Sequence, residues 1–286
     1  LKKGQVAMKK IHAPGLAVGT FTTFSGSAAA TLRYGVLAVG MFATFSGLAA
    51  TELRYGVEAE YPPFESRNAS GELEGFDIEL GNAICKAASL KCSWVETSFD
   101  ALIPGLMAKK FDAINSAMNI TEQRRKSIDF TQPIYRIPSQ LVGKAGSAVD
   151  ATPEGLKGKT IGVLQGSIQE TYAKEHWEKQ GVTVVSYKDQ NMAWGDLLNG
   201  RIDASLVMSA AGQAGFLSKP QGKGFGFIGK PVSDDTILGS GIGFGLRKGD
   251  AQTKKQLDEA IEKVKADGTV TTLAKKYFPG IDVSVK

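Results

Sequence analysis

Thr121 and Arg124 stand three residues apart in the run NSAMNITEQRRKSIDFT (115–131), where residue types and spacing best suit the binding of a small anion. The run follows an apolar pair, Ala113 and Ile114, and reads as a strand end, a polar turn and a helix start. Thr121 is placed to cap that helix, its hydroxyl accepting a backbone N–H of the first turn. Arg124 then falls in the first turn, beside N–H groups that have no intrahelical partner. A guanidinium fork next to such groups traps a carboxylate through two parallel charge-assisted bonds, helped by the helix dipole. An arginine on an ordinary surface helix looks the same locally, so the rest of the chain has to decide.

Other chemistries find little support. Metal binding needs more ligands than His12, His176, Cys85 and Cys92 supply. Glycines at 239, 241, 243 and 245 miss the G-x-G-x-x-G spacing and open no helix. The GLKGKT stretch lacks the first glycine of a phosphate-binding loop, since Pro153 stands there. There is no G-x-S-x-G nucleophile motif. No metal, cofactor or catalytic residue is expected. Cys85 and Cys92 flank a helix end and a strand start; an exported chain would oxidise such a pair, whereas a cytosolic one would keep two buried thiols.

The net charge of +5 belongs to the N-terminal segment. Residues 1–49 hold Lys2, Lys3, Lys9, Lys10, Arg33 and no acid, which leaves 29 basic against 29 acidic residues in the remainder. A neutral body with interspersed charges carries no nucleic-acid footprint. Met8-Lys9-Lys10 followed by apolar and small residues reads as an export signal, with Ala28 to Ala30 as one cleavage site. LAVGTFTTFSGSAAATLRYGV (16–36) recurs at 37–57 with 16 of 21 positions identical, a tandem duplication of leader end plus first strand. Residues 1–50 are therefore expected to be signal and duplicated leader, with the mature start near Ala49 or Ala50 and cleavage after Ala30 as the alternative.

The elements that must position Arg124 follow from periodicity. Strands are expected at 53–59, 92–97 and 111–117, and helices at 75–90 and 99–110; Phe76, Ile78, Leu80 and Ile84 are available for the first helix's core face. Alternation of this kind gives a parallel α/β sheet. A second α/β unit runs from about 155 to 209, and the C-terminal stretch is helical with a break at Asp267-Gly268. Between the units lie two extended crossings near 137–142 and 237–242, the second with glycine at every other position, so that something must pack close to its backbone. This predicts two lobes, 51–137 with 242–286 and 138–241, with a ligand cleft at their junction.

At this point the sequence resembles the periplasmic solute-binding proteins of ABC importers for amino acids (family 3), in particular the lysine/arginine/ornithine- and histidine-binding branch. The likeness spans about 52–280 and rests on EAEYPPFES, GFDIELGNAIC, FDALIPGLMAKKFDAI, ITEQRRKSIDFT, LKGKTIGVLQGSIQET, GRIDA and ADGT…LAKKYF in order. It implies a type II periplasmic-binding-protein fold with a two-strand hinge, a periplasmic location, a Cys85–Cys92 disulfide, a monomer, and a membrane permease as partner. By the same resemblance Arg124 clamps the ligand's α-carboxylate, together with the backbone at 166–169, which includes Ser167, Ile168 and Gln169. Ser167 and Glu170 also suit a capping box on their own account. Tyr61 and Phe99 match an aromatic pair that sandwiches the ligand side chain, Glu58 an acid for its distal cation, and Ser116 a hydroxyl for its distal nitrogen. Leu164, just before the turn, joins the ligand-binding set. The plainer readings are core for Phe99 and a solvated loop carboxylate for Glu58.

The departures fall mainly in the ammonium pocket. The family's aspartate for the α-ammonium corresponds to Met208, a hydroxyl near the ammonium to Asn119 and another small polar site to Ala117, while the threonine whose hydroxyl helps the carboxylate corresponds to Ile168. Three ligands fit this pattern: a basic amino acid held by Asn119 and backbone carbonyls, an opine or other N-substituted amino acid, or a cationic carboxylate without an α-amine. A dehydratase-like enzyme on the same fold, with Glu58 as the acid, is a further alternative.

Overall fold

The computed structural model describes residues 52–147 and 149–285. The leader, the cleavage sites and all of the duplication except residues 52–57 lie outside them. The first strand, β1 (Glu52–Val57), leads through a loop and a short hairpin, β2 (Ser66–Arg67) and β3 (Leu73–Glu74), into α1 (Phe76–Ala87). Phe76, Ile78, Leu80 and Ile84 on α1 are all buried, as their helical spacing requires. Then come β4 (Lys91–Glu96), α2 (Leu102–Met107), β5 (Ala113–Ile114), α3 (Glu122–Arg125) and β6 (Ile128–Phe130). The second unit holds β7 (Ser139–Lys144), α4 (Pro153–Leu156), β8 (Thr160–Leu164), α5 (Ile168–His176), β9 (Thr183–Tyr187), α6 (Gln190–Leu198), β10 (Ala204–Met208), α7 (Ser209–Gly212) and β11 (Phe225–Val232). The chain returns through α8 (Asp235–Leu238) to β12 (Gly245–Arg247), α9 (Ala251–Ala266) and α10 (Thr269–Tyr277).

Two five-stranded sheets result, ordered β4-β1-β5-β12-β6 and β11-β7-β10-β8-β9. Each centres one α/β lobe. In the first, β1 pairs parallel to β4 and β5, while β12 inserts antiparallel between β5 and β6. Arg54 on β1 and Arg247 on β12 both bond the Asp112 carboxylate, at 2.9 and 3.2 Å, and stitch the inserted strand in place. Those guanidinium donors hold the Asp112 carboxyl below the usual carboxylate range. Cys85 and Cys92 form a disulfide that ties α1 to β4. No helix among the described residues is long and apolar enough to cross a membrane.

Three elements differ from the sequence expectations. The helix expected at 99–110 opens as a 3₁₀ turn, Phe99–Ala101, before α2. The strand expected at 111–117 pairs only at Ala113 and Ile114, because Ala117 turns into the left-handed region at φ 43° and gives its N–H to Asp77 Oδ2 at 2.6 Å. The second crossing contains the helical turn α8: Asp234 caps the N–H groups of Thr236 and Ile237, and Gly239 at φ 79° ends it. The crossings then pair at Ile242 and Tyr135. The alternate glycines have the tight packing that their spacing implied. A Cβ at Gly239 would lie 2.1 Å from the Ile120 carbonyl oxygen, and one at Gly243 would lie 2.9 Å from that of Gln132.

Candidate functional site

The Arg124 side chain is placed by α3, a single turn that needs its cap. Thr121 Oγ1 accepts the Arg124 N–H at 3.1 Å, as its spacing suggests. The guanidinium then runs into the cleft. It donates to the Asn119 carbonyl at 2.9 Å on its own lobe and to the Gly166 carbonyl at 3.0 Å across the cleft. Its carbon also lies 5.5 Å from the Phe99 ring centroid. Burial pulls the guanidinium down to about 10, which still leaves it fully charged at neutral pH.

Ten of the twelve ligand-site residues expected from the sequence line one small cavity of about 10 Å³: Tyr61, Phe99, Ala117, Asn119, Arg124, Leu164, Ser167, Ile168, Gln169 and Met208. Arg124 is the single charge on that wall. Asn119 does not offer its amide to the cavity freely, because Nδ2 donates to the Leu238 carbonyl at 3.2 Å. Gln169 is braced by a 2.8 Å bond to Ser139. The turn before α5 is partly spent on itself. Ser167 Oγ accepts from Glu170 N–H at 3.0 Å, and the Glu170 carboxylate reaches back to Gly166 N–H at 2.6 Å, one residue ahead of the usual capping box. Ser167 N–H goes to the Leu164 carbonyl. The first-turn N–H groups of Ile168 and Gln169 are the ones left without intrahelical acceptors.

Glu58 and Ser116 stand elsewhere. Glu58 lines a larger mouth cavity of about 580 Å³, together with Glu60, Arg67, Glu96, Lys188 and Asp189. It is 3% exposed, not a solvated loop carboxylate, and its Oε2 has no hydrogen-bond partner. Burial, reinforced by Glu60 and Asp189, pushes its carboxyl up to about 8. The Ser116 hydroxyl is used within the lobe: it accepts the Glu58 N–H at 3.0 Å and donates to Glu65 at 2.7 Å. The two cavities adjoin across the aromatic pair, since Tyr61 and Phe99 line the small one while their neighbours Pro62 and Ser98 line the large one.

The lobes are closed on each other. Besides Arg124 to Gly166, the Met208 N–H donates to the Tyr61 hydroxyl at 3.3 Å, Gln165 to Asp100 at 3.1 Å, and Asn191 to Glu60 at 3.0 Å. Asp100, Glu60, Gln165 and Asn191 escaped the sequence reading. Glu60, Asp100 and Gln165 sit beside the expected residues Tyr61, Phe99 and Leu164, and adjacency in sequence was the available signal; Asn191 has no such neighbour.

Residues 53–280 match the bacterial extracellular solute-binding proteins, family 3. The lysine/arginine/ornithine-binding periplasmic protein of Escherichia coli K12 is 47% identical over 221 residues, 77% of this chain and 85% of that protein. The histidine-binding periplasmic protein of the same organism is 48% identical over 218 residues, 76% of this chain and 84% of that protein. Among solved structures, an ancestral arginine-binding protein bound to arginine superposes with a TM-score of 0.73 at 32% identity, covering 79% of this chain and 98% of that one. The paired α/β lobes, the cleft between them and these likenesses together place the chain in the bacterial extracellular solute-binding proteins, family 3.

Proposed function

We propose that this chain is a periplasmic solute-binding protein that closes its lobes, 51–137 with 242–286 and 138–241, on a cationic amino acid of the arginine, lysine, ornithine or histidine class. It then delivers the ligand, as a monomer and without chemical turnover, to an ABC permease. The observation that carries this reading is Arg124, a half-buried cation bonded to carbonyls of both lobes and facing an otherwise uncharged cavity. A carboxylate bound there contacts both halves at once, and such differential contact is what shifts an open–closed equilibrium. The relatives named for lysine, arginine, ornithine and histidine support the ligand class.

A second reading, an opine or other N-substituted amino acid, is favoured by Met208 and Ile168. Both are buried side chains that line the cavity and cannot balance an ammonium. Calorimetric titration with arginine, lysine, ornithine, histidine, octopine and nopaline separates the two. Heat with at least one of the first four is expected. Silence with those four and heat with an opine moves the assignment to the second reading.

Glu58 gives the first reading a pH signature. A guanidinium or ammonium beside Oε2 favours the ionised carboxylate, so binding below pH 8 expels a proton. Affinity for a cationic ligand is therefore expected to rise with pH, at most about tenfold per unit, and to level off above the Glu58 value. Titration in buffers of different ionisation heat counts the proton, and Glu58→Gln should flatten the profile. A flat wild-type profile would place the ligand's cation elsewhere.

A further inference from the structure

Behind the Ala117 wall of the cavity, three carboxyl groups meet in the core of the first lobe. Glu58, Glu65 and Asp77 are 3%, 1% and 0% exposed. Tyr61 comes from the loop after β1, Ser116 and Ala117 from the turn after β5, and Tyr135 from the first crossing. None of these is a cation, and none of the three carboxyls forms an ion pair with a Lys, Arg or His among the described residues.

The contacts divide the acids by role. Asp77 accepts at both oxygens, from the Tyr135 hydroxyl at 2.7 Å and from the Ala117 N–H at 2.6 Å, which is the pattern of an ionised carboxylate. Glu65 accepts at Oε1 from Ser116 at 2.7 Å, and no donor reaches its Oε2. Its carboxyl and that of Asp77 act on each other in the same buried pocket, with no Lys, Arg or His among the described residues paired to either. Two carboxyl groups buried together without a cation do not both ionise, so one of them keeps its proton. Burial and the charges of Asp77 and Glu58 push the Glu65 carboxyl well above its ordinary range, so it is Glu65 that keeps the proton.

We propose that Glu65 is a protonated carboxylic acid sharing its proton with Asp77, and that this pair positions Ala117 on the ligand-cavity wall. Ala117 stands at φ 43°, a conformation that side-chain-bearing residues hold only when their surroundings over-determine it. Here Asp77 fixes its N–H, and Asp77 is held in turn by Glu65, Tyr135 and, through its backbone carbonyl, Asn115 at 2.8 Å. Loss of the proton leaves two negative charges in contact and frees the turn. The positioning half of the proposal rests on reading the inter-lobe cavity as the ligand site; the proton half does not.

The test uses the full chain, with L-arginine as probe. Infrared difference spectra of the ligand-free protein at neutral pH should contain a protonated-carboxyl band that diminishes in Glu65→Gln. Glu65→Ala should weaken L-arginine binding about tenfold, and Glu65→Gln, whose amide can still donate to Asp77, should recover most of that loss. A carboxyl that binds its proton more tightly in the folded state contributes stability that is complete at acid pH and lost as pH rises. The wild-type unfolding midpoint should therefore fall from about pH 5 to about pH 9, and fall less in Glu65→Gln. Absence of a Glu65-dependent band, or an unchanged slope in Glu65→Gln, overturns the shared proton. Wild-type affinity in Glu65→Ala overturns the positioning role. No heat from the wild type with any cationic amino acid overturns the functional reading instead, while the band still decides the proton.

Discussion

Arg124→Ala is expected to lower affinity for a carboxylate ligand by about a thousandfold or more, while the ligand-free protein unfolds within a few degrees of the wild type. The two effects separate because the guanidinium's present partners are the carbonyls of Asn119 and Gly166, which water can serve when the cleft opens. A bound carboxylate has no such recourse. It would sit buried beside Phe99 with no cation on the wall, and a broken buried pair costs on the order of 3–5 kcal/mol. Lysine is expected to rescue little, since a point charge cannot bridge both lobes as the planar fork does. Calorimetric titration gives the affinity and small-angle scattering the closure; wild-type affinity in Arg124→Ala would refute the clamp.

Met208→Asp is expected to act in the opposite direction, raising affinity for amino acids with a free α-ammonium by about a hundredfold. Met208 ends β10, is 4% exposed, and shares the cavity wall with Ile168 and Leu164. A carboxylate there would supply the negative charge that the wall lacks. Without ligand the same group is buried and unpaired, so the variant should be less stable by about 2–4 kcal/mol and regain that on binding. Octopine, whose amine is already substituted, should gain far less than L-arginine. Equal gains for both ligands, or none, would show that the ammonium does not approach Met208.

Much of the fold was legible in the sequence because it rests on periodic burial. The apolar stripe of α1, the helix break at Gly268 and the glycine-lined crossing each reduce to a local rule about spacing or backbone room. Arg124, Thr121 and Ser167 were legible for the same reason, since a cap and a first-turn arginine are neighbours in sequence. Ser116 and Glu65 were not. Ser116 is drawn inward by Glu65, 51 residues away along the chain, and no pattern around FES distinguishes a loop carboxylate in water from one packed under an aromatic floor. The short extent of β5 was hidden likewise, because Asp77 ends it from α1.

The insertion of β12 between β5 and β6 bears on the order in which the molecule can be made. All strands of the second sheet come from one uninterrupted stretch, so that lobe can close as soon as its own residues are available. The first sheet cannot. Among the described residues its β6 has β12 as its only neighbour in the sheet, and β5 keeps an open edge until Gly245 arrives opposite Ile114 and Phe130. Such an edge is a template for wrong pairing while it waits. The half that begins first in the chain is thus the half that finishes last. Because the cavity wall draws on both halves, the ability to hold a solute appears in a single late step of folding.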